Sequence, residues 1–154
     1  MRYLIIVGCG ASKRPDRSRA VDLYTGPLFK SHIDLLTSAG LAPTHILSAL
    51  HGLIAADTMI DPYERRLPTT KAGRAVWGEL VLSHGAEHTG ADVTWVVLAG
   101  GPYADPWRAQ AEALGTRVLE PLRGLTQGTR RAVAKCCRGD KAAALAALGL
   151  VGQC

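Results

Sequence analysis

The chain has 154 residues, of which 47% are hydrophobic and 20% charged, with a mean hydropathy of +0.08. Such a composition excludes a disordered, collagenous or coiled-coil chain, and the length predicts a single domain over 1–154 with a core of its own. Lysine and arginine exceed aspartate and glutamate by five, and a basic surface of this size fits phosphate-bearing partners without choosing between a mononucleotide and a nucleic acid.

No apolar run reaches the roughly 18 residues that cross a bilayer. The N-terminal MRYLIIVGCG is followed by Ser12-Lys13-Arg14-Pro15 instead of a small-residue cleavage site, so it reads as a first strand and not as a signal peptide. Cys9, Cys136, Cys137 and Cys154 show no framework spacing, which points to a reduced, cytoplasmic setting.

Taken in order, Tyr3 to Val7 is a continuous apolar run, suited to a strand buried on both faces. Leu28 to Ser38 has helical spacing and closes at Gly40. His45 to Leu50 is a second strand, Lys71 to His84 a second helix, and Val93 to Ala99 the clearest strand. Pro106 to Leu114 is a third helix, with proline in its first turn and Gly115 at its end. Arg117 to Leu119 is a short fourth strand. The core thus spans about 3–128. A tail over 129–150, basic and then rich in alanine and leucine, reads as one or two short helices.

Strands and helices alternate, and each strand ends in glycine or proline. That pattern predicts an α/β fold: three layers, with helices on both faces of a mostly parallel four-stranded sheet. Ligands of such sheets bind beyond the carboxyl ends of the strands, which directs attention to the loops 8–16, 50–63, 100–106 and 120–128.

In the first loop, Gly10 lets backbone approach a ligand, Ser12 offers a hydroxyl and Lys13 a positive charge for phosphate; the spacing is not that of a P-loop. Cys9 is a nucleophile if its thiolate is favoured, and otherwise inert packing. In the second loop, Ser48 and His51 could act together, with His51 as acid or base, although no nucleophile-elbow motif surrounds the serine. Asp61-Pro62-Tyr63-Glu64-Arg65-Arg66 combines carboxylates, a phenol and guanidiniums. Proline fixes the direction of Asp61, and Arg65 or Arg66 could fork onto a phosphate; the plain alternative is a turn with a surface ion pair. No set of residues has metal-ligand spacing, and neither a metal nor another cofactor is expected. One Phe, three Trp and four Tyr are too few for a single-strand stacking platform.

Three segments in order, Cys9-Gly10-x-Ser12-Lys13, Asp22-Leu23-Tyr24-Thr25-Gly26 with Phe29, and Ile46 to Leu53 leading to Ile60-Asp61-Pro62-Tyr63, resemble the YaaA-like (peroxide-stress) superfamily. Gly100-Gly101-Pro102-Tyr103 falls where that family has its third-strand loop. Members are linked to oxidative stress and DNA binding, although the helix-hairpin-helix of the longer members is absent from this sequence. The loop 9–15 also resembles the Pro-Cys-Ser-x-x-Lys-Pro-Tyr loop of archaeosine synthase, which modifies a deazaguanine base in tRNA; here no proline precedes Cys9, and Asp16 stands in place of the tyrosine. Both resemblances imply a compact fold similar to uracil-DNA glycosylases and a nucleobase as the recognition target.

The expected function is therefore that of an enzyme acting on a nucleoside, nucleotide or nucleic acid, cleaving an N-glycosidic bond. Asp61 would stabilise the oxocarbenium charge or activate water, His51 or Tyr63 would protonate the base, and residues 8–13 would hold phosphate or ribose. Asp22 and Tyr24, carried over from the resemblance, would stand at the rim, with Ser48, Arg65, Gly100, Gly101 and Tyr103 as further binding residues. One alternative is group transfer onto a deazaguanine-like base with Cys9 or Lys13 in the chemistry. The other is a non-catalytic DNA- or RNA-binding stress protein relying on Arg123, Arg130, Arg131 and Lys135.

Overall fold

The computed structural model describes residues 2–150, so Cys154 lies outside the described residues. Its elements are β1 (Arg2–Gly8), β2 (Ser18–Arg19), α1 (Ala20–Leu23), α2 (Pro27–Ser38), β3 (His45–Ser48), β4 (Gly52–Ala55), β5 (Met59–Ile60), α3 (Lys71–His84), β6 (Val93–Leu98), α4 (Asp105–Ala113), β7 (Arg117–Leu119), α5 (Gln127–Cys136) and α6 (Lys141–Ala147). The main sheet runs β4-β3-β1-β6-β7. Strand β1 is parallel to β3 and β6, and β6 is parallel to β7.

The two central strands explain their own composition. Leu4 and Ile6 of β1 enter a core with Trp77, Val81, Trp95, Trp107 and Ala111, beneath α3 and α4. Ile5 and Val7 enter the opposite core with Phe29, Leu35, Leu36, Ala134, Ala144 and Leu148, beneath α2, α5 and α6. A strand covered on both faces has no polar side to alternate with, which is why the runs LIIV and VTWVVL are unbroken. The helix boundaries are chemical as well. Thr70 and Thr126 accept the backbone N–H of Gly73 and Thr129, and Asp140 accepts that of Ala143, so α3, α5 and α6 each begin on a capping side chain. Pro27 opens α2, where a missing N–H costs nothing.

The sheet has five strands, not four, and it is mixed. The residues after His51, expected to form a loop, turn back at Gly52 and pair antiparallel with β3 from Ser48↔Gly52 to His45↔Ala55. Gly52 makes the turn with φ of +73°, a conformation in which a Cβ would be strained. Strand β4 then covers the edge that β3 would otherwise expose. A second small ribbon pairs β2 with β5. The tail is not an appendage: Ala134, Cys137, Ala144, Leu148 and Leu150 are buried in the core that contains α2. No helix among the described residues is long and apolar enough to cross a membrane.

Candidate functional site

After β1 the chain passes to β3 on one side and then crosses to β6 on the other, so the connection reverses between β1 and β6. At such a reversal the loops leaving the two strands part and open a crevice at their carboxyl ends. The strands themselves approach closely there: a Cβ on Gly8 would lie 2.7 Å from that of Ala99. Beyond this contact is a cavity of about 440 Å³ whose walls include Cys9, Gly10, Ser12, His32, Gly100 and Tyr103.

The half-buried Cys9 thiol hydrogen-bonds Tyr103 Oη at 3.6 Å. Two tryptophans fix the Tyr103 ring and backbone: Trp77 meets the ring edge-on at 5.7 Å between centroids, and Trp107 Nε1 donates to the Tyr103 carbonyl at 2.6 Å. Burial raises the Tyr103 phenol above its ordinary range, and neighbouring Cys9 adds to the shift. The phenol therefore remains protonated throughout the physiological range. Its oxygen receives the thiol, while its own proton has no acceptor among the described residues.

A run of hydroxyls lies alongside Cys9. Tyr24 Oη and Tyr63 Oη are 2.6 Å apart, and Tyr63 Oη is 2.6 Å from Ser48 Oγ. The direction of this run follows from Ser48. Its oxygen accepts the backbone N–H of Leu50 at 3.2 Å and of His51 at 3.0 Å, which occupies both lone pairs. Its proton must go to Tyr63, the proton of Tyr63 to Tyr24, and the last proton in the run belongs to Tyr24. Burial lifts the Tyr63 phenol far above normal, with Cys9 adding to it, and pushes the Tyr24 phenol up to about 12.

Local pairing assembles this cluster. The segment around Lys13 bridges antiparallel to Tyr24, reinforced by Arg14 N–H to the Leu23 carbonyl and Thr25 N–H to the Ser12 carbonyl. Lys13 then folds back: its Nζ donates to the Ala11 carbonyl at 3.1 Å and lies 4.5 Å from the Tyr63 ring centroid. It serves the rings as a cationic cover more than the cavity as a phosphate ligand. His51 meets Tyr63 edge-on at 5.4 Å, and burial, then His84, holds its imidazole below the ordinary value.

Of the residues expected at the site, Cys9, Gly10, Ser12, Lys13, Tyr24, Ser48, His51, Tyr63, Gly100 and Tyr103 are gathered at this end of the sheet. Three are placed elsewhere. Asp61 is 73% exposed and pairs with Arg17 at 3.2 Å, because β5 pairs with β2 and brings those two side chains to the surface. Asp22 pairs with Arg19 at 2.7 Å along an outer groove that includes Lys30 and Arg131. Arg65 is exposed and borders a hollow over α3 with Leu50 and Val76. Gly101 borders a second cavity adjoining the first.

The burial of two polar residues departs from the sequence reading, which set Arg130 on a basic binding surface and did not single out His32. Their only sequence signal is positional: each falls on a helix face that otherwise packs inward. Arg130 Nη1 lies 3.4 Å from His32 Nε2. Burial and then the Arg130 charge push the His32 imidazole down to about 4, so it faces the guanidinium uncharged. Within the expected basic surface, Arg130 is thus interior and Arg123 is tied to Glu120 and Asp105, leaving Arg131 and Lys135 on the exposed face.

Residues 4–135 match the model of a family described as a family of unknown function (DUF6884). No curated protein and no solved structure matches the chain.

Proposed function

We propose that this chain, which belongs to the DUF6884 family, is an enzyme that cleaves the N-glycosidic bond of a nucleobase-containing substrate held in the cavity between β1 and β6. The observation that carries this reading is the Tyr103 phenol. It borders the cavity, is fixed by Trp77 and Trp107, and has a proton with no acceptor among the described residues.

A departing base needs a proton on the nitrogen that leaves C1′, and a positioned acid supplies it. In the proposed reaction Tyr103 hydrogen-bonds the base and gives up its proton as the C1′–N bond breaks. Water adds its oxygen to C1′, and its released proton restores the phenol. The products are free base and the sugar hydroxyl, with no net proton change on the protein. The Ser48–Tyr63–Tyr24 run, polarised in one direction, lies within electrostatic reach of Cys9. Asp61, paired with Arg17 at the surface, has no part in this scheme. The expected likeness to uracil-DNA glycosylases belongs to the same proposal.

A second reading, group transfer onto a modified base, is favoured by one observation: Cys9 borders the same cavity. Mass spectrometry of the protein incubated with nucleosides, nucleotides, tRNA and DNA, deazapurines and damaged bases included, separates the two. Release of free base that falls about 10²- to 10⁴-fold in Tyr103→Phe and persists in Asp61→Ala is the expected result. Base release that Tyr103→Phe leaves intact and Asp61→Ala abolishes would overturn the assignment. A shifted substrate mass without free base, lost in Cys9→Ser, would establish group transfer instead.

A further inference from the structure

Beside the cavity bounded by Cys9 and Tyr103 is a second of about 440 Å³, and Leu28, Gly100 and Gln127 border both. Its lining carries two guanidiniums, Arg123 and Arg130, and no carboxylate. Arg123 is already committed, with Nη1 on Glu120 and Nη2 on Asp105, each at 2.8 Å. Arg130 is different. It is 6% exposed and makes no ion pair with a carboxylate among the described residues; Glu120, the acidic group that acts on it electrostatically, is held by Arg108 and Arg123.

The five N–H bonds of Arg130 can be accounted for one by one. Nε donates to the Leu125 carbonyl at 3.2 Å. Nη1 uses its two on the Ala99 carbonyl at 3.1 Å and on His32 Nε2. Nη2 has none of its protons taken by any described residue, and Arg130 borders the cavity. A second set of unspent donors is close by in sequence, at Gln127, which lines the same hollow, and at the next residue. Thr126 caps Thr129 N–H at the start of α5, while the amides of Gln127 and Gly128 have no acceptor within the described protein. A buried cation without a carboxylate and two open amides at a ten-residue helix's positive end together specify an oxyanion. Neutral His32 supports the arrangement by accepting from Arg130 without repelling it.

We propose that this second cavity is the subsite for a phosphate monoester of the substrate, held by Arg130 Nη2 and the backbone N–H groups of Gln127 and Gly128. The assignment rests on the nucleobase reading of the adjoining cavity and deepens it: the substrate is a nucleotide rather than a nucleoside. It also moves the phosphate from residues 8–13, where the sequence suggests it, to the α5 side of Gly100.

The test is titration of ¹⁵N-labelled full-length protein with inorganic phosphate, with the four ribonucleoside 5′-monophosphates, with the matching nucleosides, and with a short oligonucleotide lacking terminal phosphates. Phosphate alone should shift the Gln127 and Gly128 amides and the Arg130 side chain, and a monophosphate should bind about ten- to a hundredfold more tightly than its nucleoside. Arg130→Gln should bring that ratio close to one. Because a buried arginine can also matter for folding, a second variant reads the site from the backbone. Gln127→Pro removes only an orphan N–H at the first helical position, where proline is tolerated and the preceding Thr126 is already extended with ψ of 162°. Phosphate should bind Gln127→Pro more weakly than Gln127→Ala, which keeps the N–H. Equal affinity of nucleotide and nucleoside for the wild type, or equal phosphate affinity of the two Gln127 variants, would overturn the subsite. So would an oligonucleotide that displaces phosphate as well as a monophosphate does, since it would place a backbone diester there. Phosphate binding at these atoms without binding of any nucleoside or nucleotide would keep the anion site and sink the nucleobase reading. Base release with no phosphate response would do the reverse.

Discussion

His32 shows how its surroundings fix the charge state of one side chain. It is 2% exposed and faces Arg130, and its imidazole is pushed from 6.5 to about 4 by burial first and by the guanidinium second. An imidazole that resists protonation in the folded protein but accepts a proton freely in the unfolded chain favours unfolding as pH falls. The sign is explicit: between pH 6.5 and pH 4 the unfolded state binds the extra proton, so stability rises with pH across that window and is independent of this residue above it. The shift corresponds to about 3 kcal/mol over the whole window. Urea unfolding as a function of pH should therefore show a shallower acid slope in His32→Gln than in the wild type. Parallel slopes would mean that His32 is not held neutral against Arg130. Neither residue's burial is visible in composition. The sequence 129–141 has the charge of a solvated helix face, and only packing of α5 against α2 reverses that for Arg130.

At the scale of elements, the regular pieces were legible wherever a local signal marks them. The unbroken apolar runs of β1 and β6, the glycine that closes α2 and the proline in the first turn of α4 are all written within a few residues of the boundary they mark. The loops carrying the site were legible too, because each follows a parallel strand. The fifth strand was not. Gly52-Leu53-Ile54-Ala55 is short, and its antiparallel pairing is decided by the edge of β3, a non-local partner. The turn that makes it depends on Gly52, and the same turn presents the Leu50 and His51 amides to Ser48. Alanine at 52 would have to adopt φ of +73° with its Cβ 3.0 Å from Leu80 Cγ, at a cost of about 2–4 kcal/mol in total. Gly78 in α3 has no unusual φ but less space: a Cβ there would lie 2.4 Å from the Pro106 carbonyl oxygen. Backbone cannot yield as a flexible side chain does, so α3 and α4 would have to separate. Chemical denaturation should rank Gly78→Ala at least as destabilising as Gly52→Ala, and wild-type stability in either variant would contradict the close approach described.

For the molecule as a whole, the distribution of tryptophan provides a test of whether the two cores fold as one. Trp77, Trp95 and Trp107 all belong to the core beneath α3 and α4, so tryptophan fluorescence reports on that face of the sheet alone. Leu148 is fully buried on the opposite face, in the core that joins the tail to α2. The two cores share β1 and β6, whose alternate side chains point into each: Ile5, Val7, Val96 and Leu98 on one side, Leu4, Ile6, Trp95 and Val97 on the other. A strand cannot lose one face and keep the other in place, because the packing on both sides fixes the same backbone. Truncating Leu148 to alanine removes buried methyl groups far from every tryptophan, at a cost of about 2–5 kcal/mol. If the tail is integral to a single cooperative unit, the tryptophan-monitored unfolding free energy should fall by that amount, seen as a lower urea midpoint with the slope unchanged, and far-ultraviolet circular dichroism should trace the same curve. A tail folding separately would instead leave the tryptophan midpoint unmoved while circular dichroism gains an earlier transition. Cooperative loss would also explain how a basic, alanine-rich segment outside the alternating pattern comes to place Arg130 behind the cavity: α5 is anchored from the core side, and its first turn is held where β1 and β6 part.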